Sequence, residues 1–268
     1  MAANSSLKKL IHFVRVRLDT GASVRMARRV KILEVLVLLM SFTVSRFSAE
    51  ELKPHERATL SADQIFSRLE MENEIRAAKL QNYSSIRRYS VFEKNEPADA
   101  EVRVSMLYVS PSTKTFRVIS QKGAGWVTKQ VFHALIRAEQ EAAAGKNKTA
   151  SAITSANYET RLLGEVQYQN RDCYLLELHP KRRDKFLIEG KIWVDKQDLA
   201  IVKLEGEPSK SLSFWVTRVH LVREYQKIGE FWLQFRDQTD AQIRFIGEYI
   251  LQIEYGNYVI NNQNSVAG

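Results

Sequence analysis

Hydrophobic and polar residues alternate with a period of two through most of the second half of the chain. Between Ile243 and Tyr255 every odd position is apolar or Gly (Ile243, Phe245, Gly247, Tyr249, Leu251, Ile253, Tyr255). The even positions include Gln242, Arg244, Glu248, Gln252 and Glu254. A period of two sends alternate side chains to opposite faces of a strand. The pattern predicts strands over residues 158–169, 172–179, 184–195, 200–207, 213–225, 231–240 and 242–256. The breaks between them are short and polar, so sequence neighbours pair as antiparallel hairpins.

The first half begins with a helix. Ser61 is placed to cap it, and Phe66, Leu69, Ala77 and Leu80 recur at helical spacing, which predicts an amphipathic helix over 61–80. Alternation then predicts strands over 84–93, 101–109 and 114–120, separated by Asn95-Glu96-Pro97 and Pro111-Ser112. Gly123-Ala124-Gly125 breaks the pattern, and from Trp126 the period changes to 3.6. Val127, Val131, Leu135 and Ala138 form a stripe with Phe132 and Ile136 beside it, predicting a second helix to about Ala144. The expected fold is α+β and mostly antiparallel β. About ten strands form one strongly curved sheet, a half-barrel with both helices laid on its concave apolar face.

Charge changes the picture only at the N-terminus. The net charge of the 268-residue chain is +9, but residues 1–49 hold nine Lys or Arg against two acids, and the rest holds 31 basic against 29 acidic groups. The excess therefore belongs to the N-terminal segment and not to the folded body, which weakens any claim of a broad basic surface for a nucleic-acid partner. Residues 26–31 are basic, Ile32–Val44 is mostly apolar, and small residues follow at Ser45, Ser48 and Ala49. This reads as an export segment, cut after Ala49 or Ser45 or retained as an inner-membrane anchor. The expected organisation is an N-terminal extension with signal segment (1–49), a linker (50–60), one domain (61–260) and a loose tail (261–268).

Catalytic signatures are missing from the sequence. It has no nucleophile elbow, P-loop, H-E-x-x-H or dinucleotide glycine fingerprint. His12, His55, His133, His179 and His220 are scattered, with His179 and His220 expected on neighbouring strands. Asp195 and Asp198 read as turn acids, and the lone Cys173 as a small sheet residue. Neither an enzyme, a metal nor a cofactor is indicated.

Three segments carry a resemblance: Ile192-Trp193-Val194-Asp195 followed by Leu199 to Gly206; Ser211-Leu212-Ser213-Phe214-Trp215-Val216 followed by Arg223-Glu224-Tyr225; and Gly229-Glu230-Phe231-Trp232-Leu233. With the element order over roughly residues 60–258, they resemble the outer-membrane lipoprotein-sorting proteins of the LolA/LolB-like superfamily. The resemblance implies a LolA-like half-barrel around an apolar cavity for acyl chains. It also implies a periplasmic carrier of lipid or acylated lipoprotein, a monomer that exchanges cargo with inner- and outer-membrane sorting components. An alternative is a sensor on the same fold that binds a regulatory protein. The lining expected from alternation is Tyr174, Leu176, Phe186, Ile188, Ile192, Trp215, Val219, Leu221, Ile243, Phe245, Tyr249 and Leu251 on the sheet. Phe66, Leu69, Phe132, Leu135 and Ile136 are expected on the helical lid. Trp126 and Trp193 are candidates for the rim, and Lys181-Arg182-Arg183 with Lys185 for phosphate headgroups at a loop edge.

Overall fold

The computed structural model describes residues 60–98, 100–123, 136, 146–211, 214, 216–245 and 247–262. The expectations for residues 1–59, for residues 263–268 and for the helix from Trp126 fall outside them, apart from Ile136, which is helical.

Among the described residues the elements run α1 (Ala62–Lys79), β1 (Asn82–Glu93), β2 (Ala100–Val109), β3 (Thr113–Gly123), a short α2 (Lys146–Ser151), β4 (Tyr158–Tyr168), β5 (Arg171–Pro180), β6 (Ile188–Asp195), β7 (Ala200–Pro208), β8 (Val216–Ile228), β9 (Phe231–Ile243) and β10 (Gly247–Ile260). These strands all pair antiparallel in one sheet of order β3-β2-β1-β10-β9-β8-β7-β6-β5-β4. The edges β3 and β4 do not pair with each other, so the sheet is an open half-barrel rather than a closed barrel.

α1 starts where the sequence places it. The Ser61 hydroxyl accepts from the Gln64 backbone, and the Gln64 side chain accepts from the Ser61 backbone, so the two form a capping box. Its buried residues are Ile65, Phe66 and Leu69, whereas Ala77 is exposed. The apolar stripe thus works in the N-terminal half alone. The C-terminal half is held by polar contacts, Arg76 donating to the carbonyls of Asp198 and Leu199 at 2.8 Å each.

Two strand starts differ from expectation by four or more residues. Residues 184–187 form a loop and not the start of a strand, because the Asp184 carboxylate caps the Phe186 backbone at 2.9 Å. The alternating run 243–255 is broken at a tight turn: Ile243 pairs with Gly247, and Phe245 takes a left-handed φ of 64°. His179 on β5 and His220 on β8 are separated by two intervening strands, β6 and β7, and are not on neighbours.

One close approach shapes the sheet. Gly190 on β6 faces Gly206 on β7, and a Cβ built on Gly206 would lie 2.4 Å from the Glu189 carbonyl oxygen and 2.7 Å from the Gly190 Cα. Only glycine fits at both positions.

Candidate functional site: the covered face of the sheet

One face of the sheet carries two apolar clusters that meet on β8. The first joins Tyr89, Val91, Val102 and Val104 of the β1–β2 hairpin to Val219, Ala241, Ile243, Tyr249, Leu251, Ile253 and Tyr255, with Phe116 and Ile136 packed on its edge. The second joins Ile65, Phe66 and Leu69 of α1 to Tyr174, Leu176, Leu178, Ile188, Ile192, Val194, Leu204 and Leu221. Val219 and Leu221 are two residues apart on β8, so both clusters lie on the same face.

Register makes that face continuous. Val102, Tyr89, Ile253, Asp237, Arg223, Leu204, Ile192 and Leu176 stand opposite one another in a row across eight strands. Six of the eight are apolar or aromatic. The two in the middle are an ion pair. Arg223 Nε donates to both Asp237 oxygens at 3.0 and 2.9 Å, and Nη2 approaches Oδ2 at 2.7 Å. The Tyr255 hydroxyl joins Asp237 at 3.3 Å, and the guanidinium of buried Arg87 lies 4.9 Å from the Tyr255 ring. The Asp237 side chain is 7 % exposed and that of Arg223 is 32 % exposed. Burial works against the Arg223 charge, yet the Asp237 carboxylate beside it raises its pKa further above the ordinary range. Burial likewise raises the pKa of Tyr225, against the opposing pull of the Arg223 charge.

Most expected lining residues come together here. Phe66, Leu69, Tyr174, Leu176, Ile188, Ile192 and Leu221 belong to the α1-covered cluster, with Phe186 packed against it from the β5–β6 loop. Val219, Ile243, Tyr249 and Leu251 belong to the other, with Ile136 against it. Phe245 does not: its turn points it to solvent, 86 % exposed. Phe132, Leu135, Trp126 and Trp215 lie outside the described residues. Trp193 alternates away from Ile192 onto the opposite face, where the Lys203 ammonium sits 4.4 Å from its ring. Sequence reasoning left out Tyr89, Val102, Val104, Ile253 and Tyr255, although their alternation marks them as well as it marks the rest.

The remaining candidates have local roles. Lys181 donates to the Ser155 carbonyl, Arg182 to Asn157 and Ala150, and Arg183 to Ser209, fastening neighbouring loops. Burial, with Asp195 nearby, pushes the Cys173 thiol up to about 11, far from a reactive thiolate. Asp195 caps its own turn, accepting from the backbones of Gln197 and Asp198. No three His, Cys, Asp or Glu among the described residues gather to hold a metal ion.

No family model matches the sequence, and no curated protein matches it. Solved structures do. A DUF1329 family protein from Desulfovibrio piger is similar over 76 % of this chain and 95 % of its own, at 15 % identity and TM-score 0.40. A LolA superfamily protein from Nitrosomonas europaea is similar over 76 % and 95 %, at 14 % identity and TM-score 0.37. An outer membrane lipoprotein-sorting protein domain from Vibrio parahaemolyticus is similar over 73 % and 92 %, at 12 % identity and TM-score 0.39. Superpositions this loose say nothing of ligand or partner.

Proposed function

We propose that this chain is an exported carrier that takes lipid or lipoprotein acyl chains onto the covered face of its half-barrel and moves them between membranes. The observation that supports this reading is the extent of the covered face. The apolar face runs from β2 to β5; among the described residues α1 packs on its β4–β8 part, and helical Ile136 packs against the β1–β2–β9–β10 cluster. Acyl chains gain about 0.8 kcal/mol per CH₂ removed from water, so such a face is a strong sink for them. The lining residues are buried, so loading requires their cover to part. The chemistry is binding and release without covalent change.

The test is uptake of a fluorescent fatty acid, with native mass spectrometry of protein purified from its own host. An acylated species should co-purify. Leu221→Phe, which adds bulk where the clusters meet, should weaken uptake at least tenfold while leaving the fold intact. A chain that carries no lipid and takes up no fatty acid refutes the proposal.

A second reading, binding of a regulatory protein, is favoured by the edge strand β3, where Val118 and Ile119 are exposed. A protein in place of lipid in the native spectrum would select it.

A further inference from the structure

The two ends of the half-barrel differ in charge and in exposed aromatics. One end is built from the β1–β2, β5–β6, β7–β8 and β9–β10 connections, of which residues 94–98, 181–187, 209–211, 214 and 244–245 are described. These carry seven Lys or Arg against two acids, Glu96 and Asp184, and the sequence adds a third, Asp99. The turns at the other end, residues 110–112, 169–170, 196–199 and 229–230, carry Lys196 against Asp198 and Glu230. Basic groups beside that second end are neutralised in ion pairs, Arg171 with Asp195 at 2.8 Å and Lys227 with Asp198 at 2.7 Å. At the first end, by contrast, Lys181, Arg183, Lys185, Lys210 and Arg244 form no ion pair among the described residues.

Two exposed phenylalanines crown the basic end. Phe245, at the tip of the β9–β10 turn, is 86 % exposed, and Phe214, in the β7–β8 loop, is 67 % exposed. They belong to one surface, because the Arg244 guanidinium lies 4.4 Å from the Phe214 ring and bridges the two connections. Arg244 Nε is buried there with no hydrogen-bond partner among the described residues. The basic β5–β6 loop is tied to the same surface: Arg183 donates to the Ser209 carbonyl at 3.2 Å, and the Ser209 backbone donates to the Leu187 carbonyl at 2.8 Å. On the far side Lys94 joins Glu248 at 2.8 Å, which anchors the β1–β2 turn to β10. Aromatic tips set among unpaired cations suit a surface with an apolar interior and an anionic skin.

We propose that this end of the half-barrel docks on an anionic lipid bilayer. Phe214 and Phe245 enter the boundary between headgroups and acyl chains, and the surrounding Lys and Arg face the phosphates. The contact made by these two tips is peripheral. Docking would bring this end of the covered face to the source of its cargo. The inference rests on the carrier reading for that purpose only; the surface stands without it.

The test is flotation of the full chain with vesicles of phosphatidylcholine alone and with vesicles holding about 30 % phosphatidylglycerol. Wild type and variants share residues 1–59, and the site-specific dye at position 245 reads this end apart from that segment. Binding to the anionic vesicles should be at least tenfold stronger and should fall when salt shortens the Debye length from about 10 Å to about 3 Å. Phe214→Ser with Phe245→Ser should weaken it at least tenfold, and Lys185→Gln and Lys210→Gln by about fivefold each. A local reading comes from Phe245→Cys labelled with an environment-sensitive dye, Cys173 being buried and inaccessible. Its emission should shift to the blue on anionic vesicles. Equal binding to both vesicle types, or an unshifted dye, overturns the proposal. Fatty-acid uptake without vesicles separates the two readings. Lys210→Gln should keep uptake while weakening docking. Failed uptake with intact docking would sink the carrier and leave the docking surface standing.

Discussion

Gly206→Ala should destabilise the protein out of proportion to the one methyl group it adds. The new Cβ would stand 2.4 Å from the Glu189 carbonyl oxygen, 2.7 Å from the Gly190 Cα and 2.9 Å from the Ile188 Cγ2. An ordinary carbon–oxygen contact is about 3.3 Å or more, so the shortfall is roughly 0.9 Å. Two of the three neighbours are backbone atoms, which cannot rotate aside as a side-chain tip can. Overpacking costs about 1–3 kcal/mol, and backbone neighbours on the facing strand put this case near about 3 kcal/mol. With a urea m-value of about 3 kcal/mol/M the unfolding midpoint should fall by about 1 M. The control is Gly256→Ala on β10, whose Cβ would meet nothing within 4 Å. It should shift stability by less than about 1 kcal/mol, in the favourable direction if at all. The glycine pair lies in the row that joins Leu221 to Leu178, so forcing β6 from β7 should also loosen fatty-acid uptake. Equal midpoints for Gly206→Ala and Gly256→Ala would refute the argument that the strands need this close approach.

Further outcomes follow from the same structure. Asp237→Ala leaves Arg223 without its counter-charge in the apolar row and should cost about 3 kcal/mol in urea titration, whereas Arg223→Leu with Asp237→Leu should recover more than half of it. Phe66→Ala, which truncates the buried contact of α1, should cost about 3–5 kcal/mol by the same titration, while Phe245→Ser should stay within about 0.5 kcal/mol. Burial, the largest influence on Asp198, raises its pKa, but the Lys227 and Trp232 hydrogen bonds override it and leave the pKa lowered. The stability this contributes is complete above the unfolded value of about 3.9 and is lost as pH falls through the folded one; Asp198→Asn should remove that acid-side loss in a pH series of melts. Burial lowers the His220 pKa against the pull of Glu205 and Asp240, so stability should decline as pH drops from about 6.5 through the folded value. His220→Gln should flatten the profile in that window.

Alternation exposed nearly every strand because most have one covered face; β3, exposed along most of its length, is the exception. It failed where the turn chemistry was unusual. Ile243, Phe245, Gly247 and Tyr249 keep their phase across the β9–β10 turn, and the left-handed position is held by Phe245, not by the Gly, Asn or Asp that would signal a hairpin. That in-phase turn put Phe245 on the covered face in the sequence reading and at the exposed tip in the structure. The α1 stripe was extended to Ala77 and Leu80 because spacing cannot show where the sheet beneath ends. The Arg223–Asp237 pair was legible only as an exception: Arg223 keeps phase with Val219 and Leu221, and its partner lies one strand away in register. Sequence gives the phase of a charged residue but not the opposite charge that lets it stay there.

The most direct test of the central claim is photo-crosslinking with a diazirine-bearing fatty acid, mapped by peptide mass spectrometry. Adducts should concentrate on the covered face of β8 and β10, in peptides spanning Val219–Leu221 and Leu251–Tyr255, and unlabelled fatty acid should compete them away. Adducts confined to exposed positions, or unaffected by competitor, would show that the apolar face is filled core and that the carrier account is wrong.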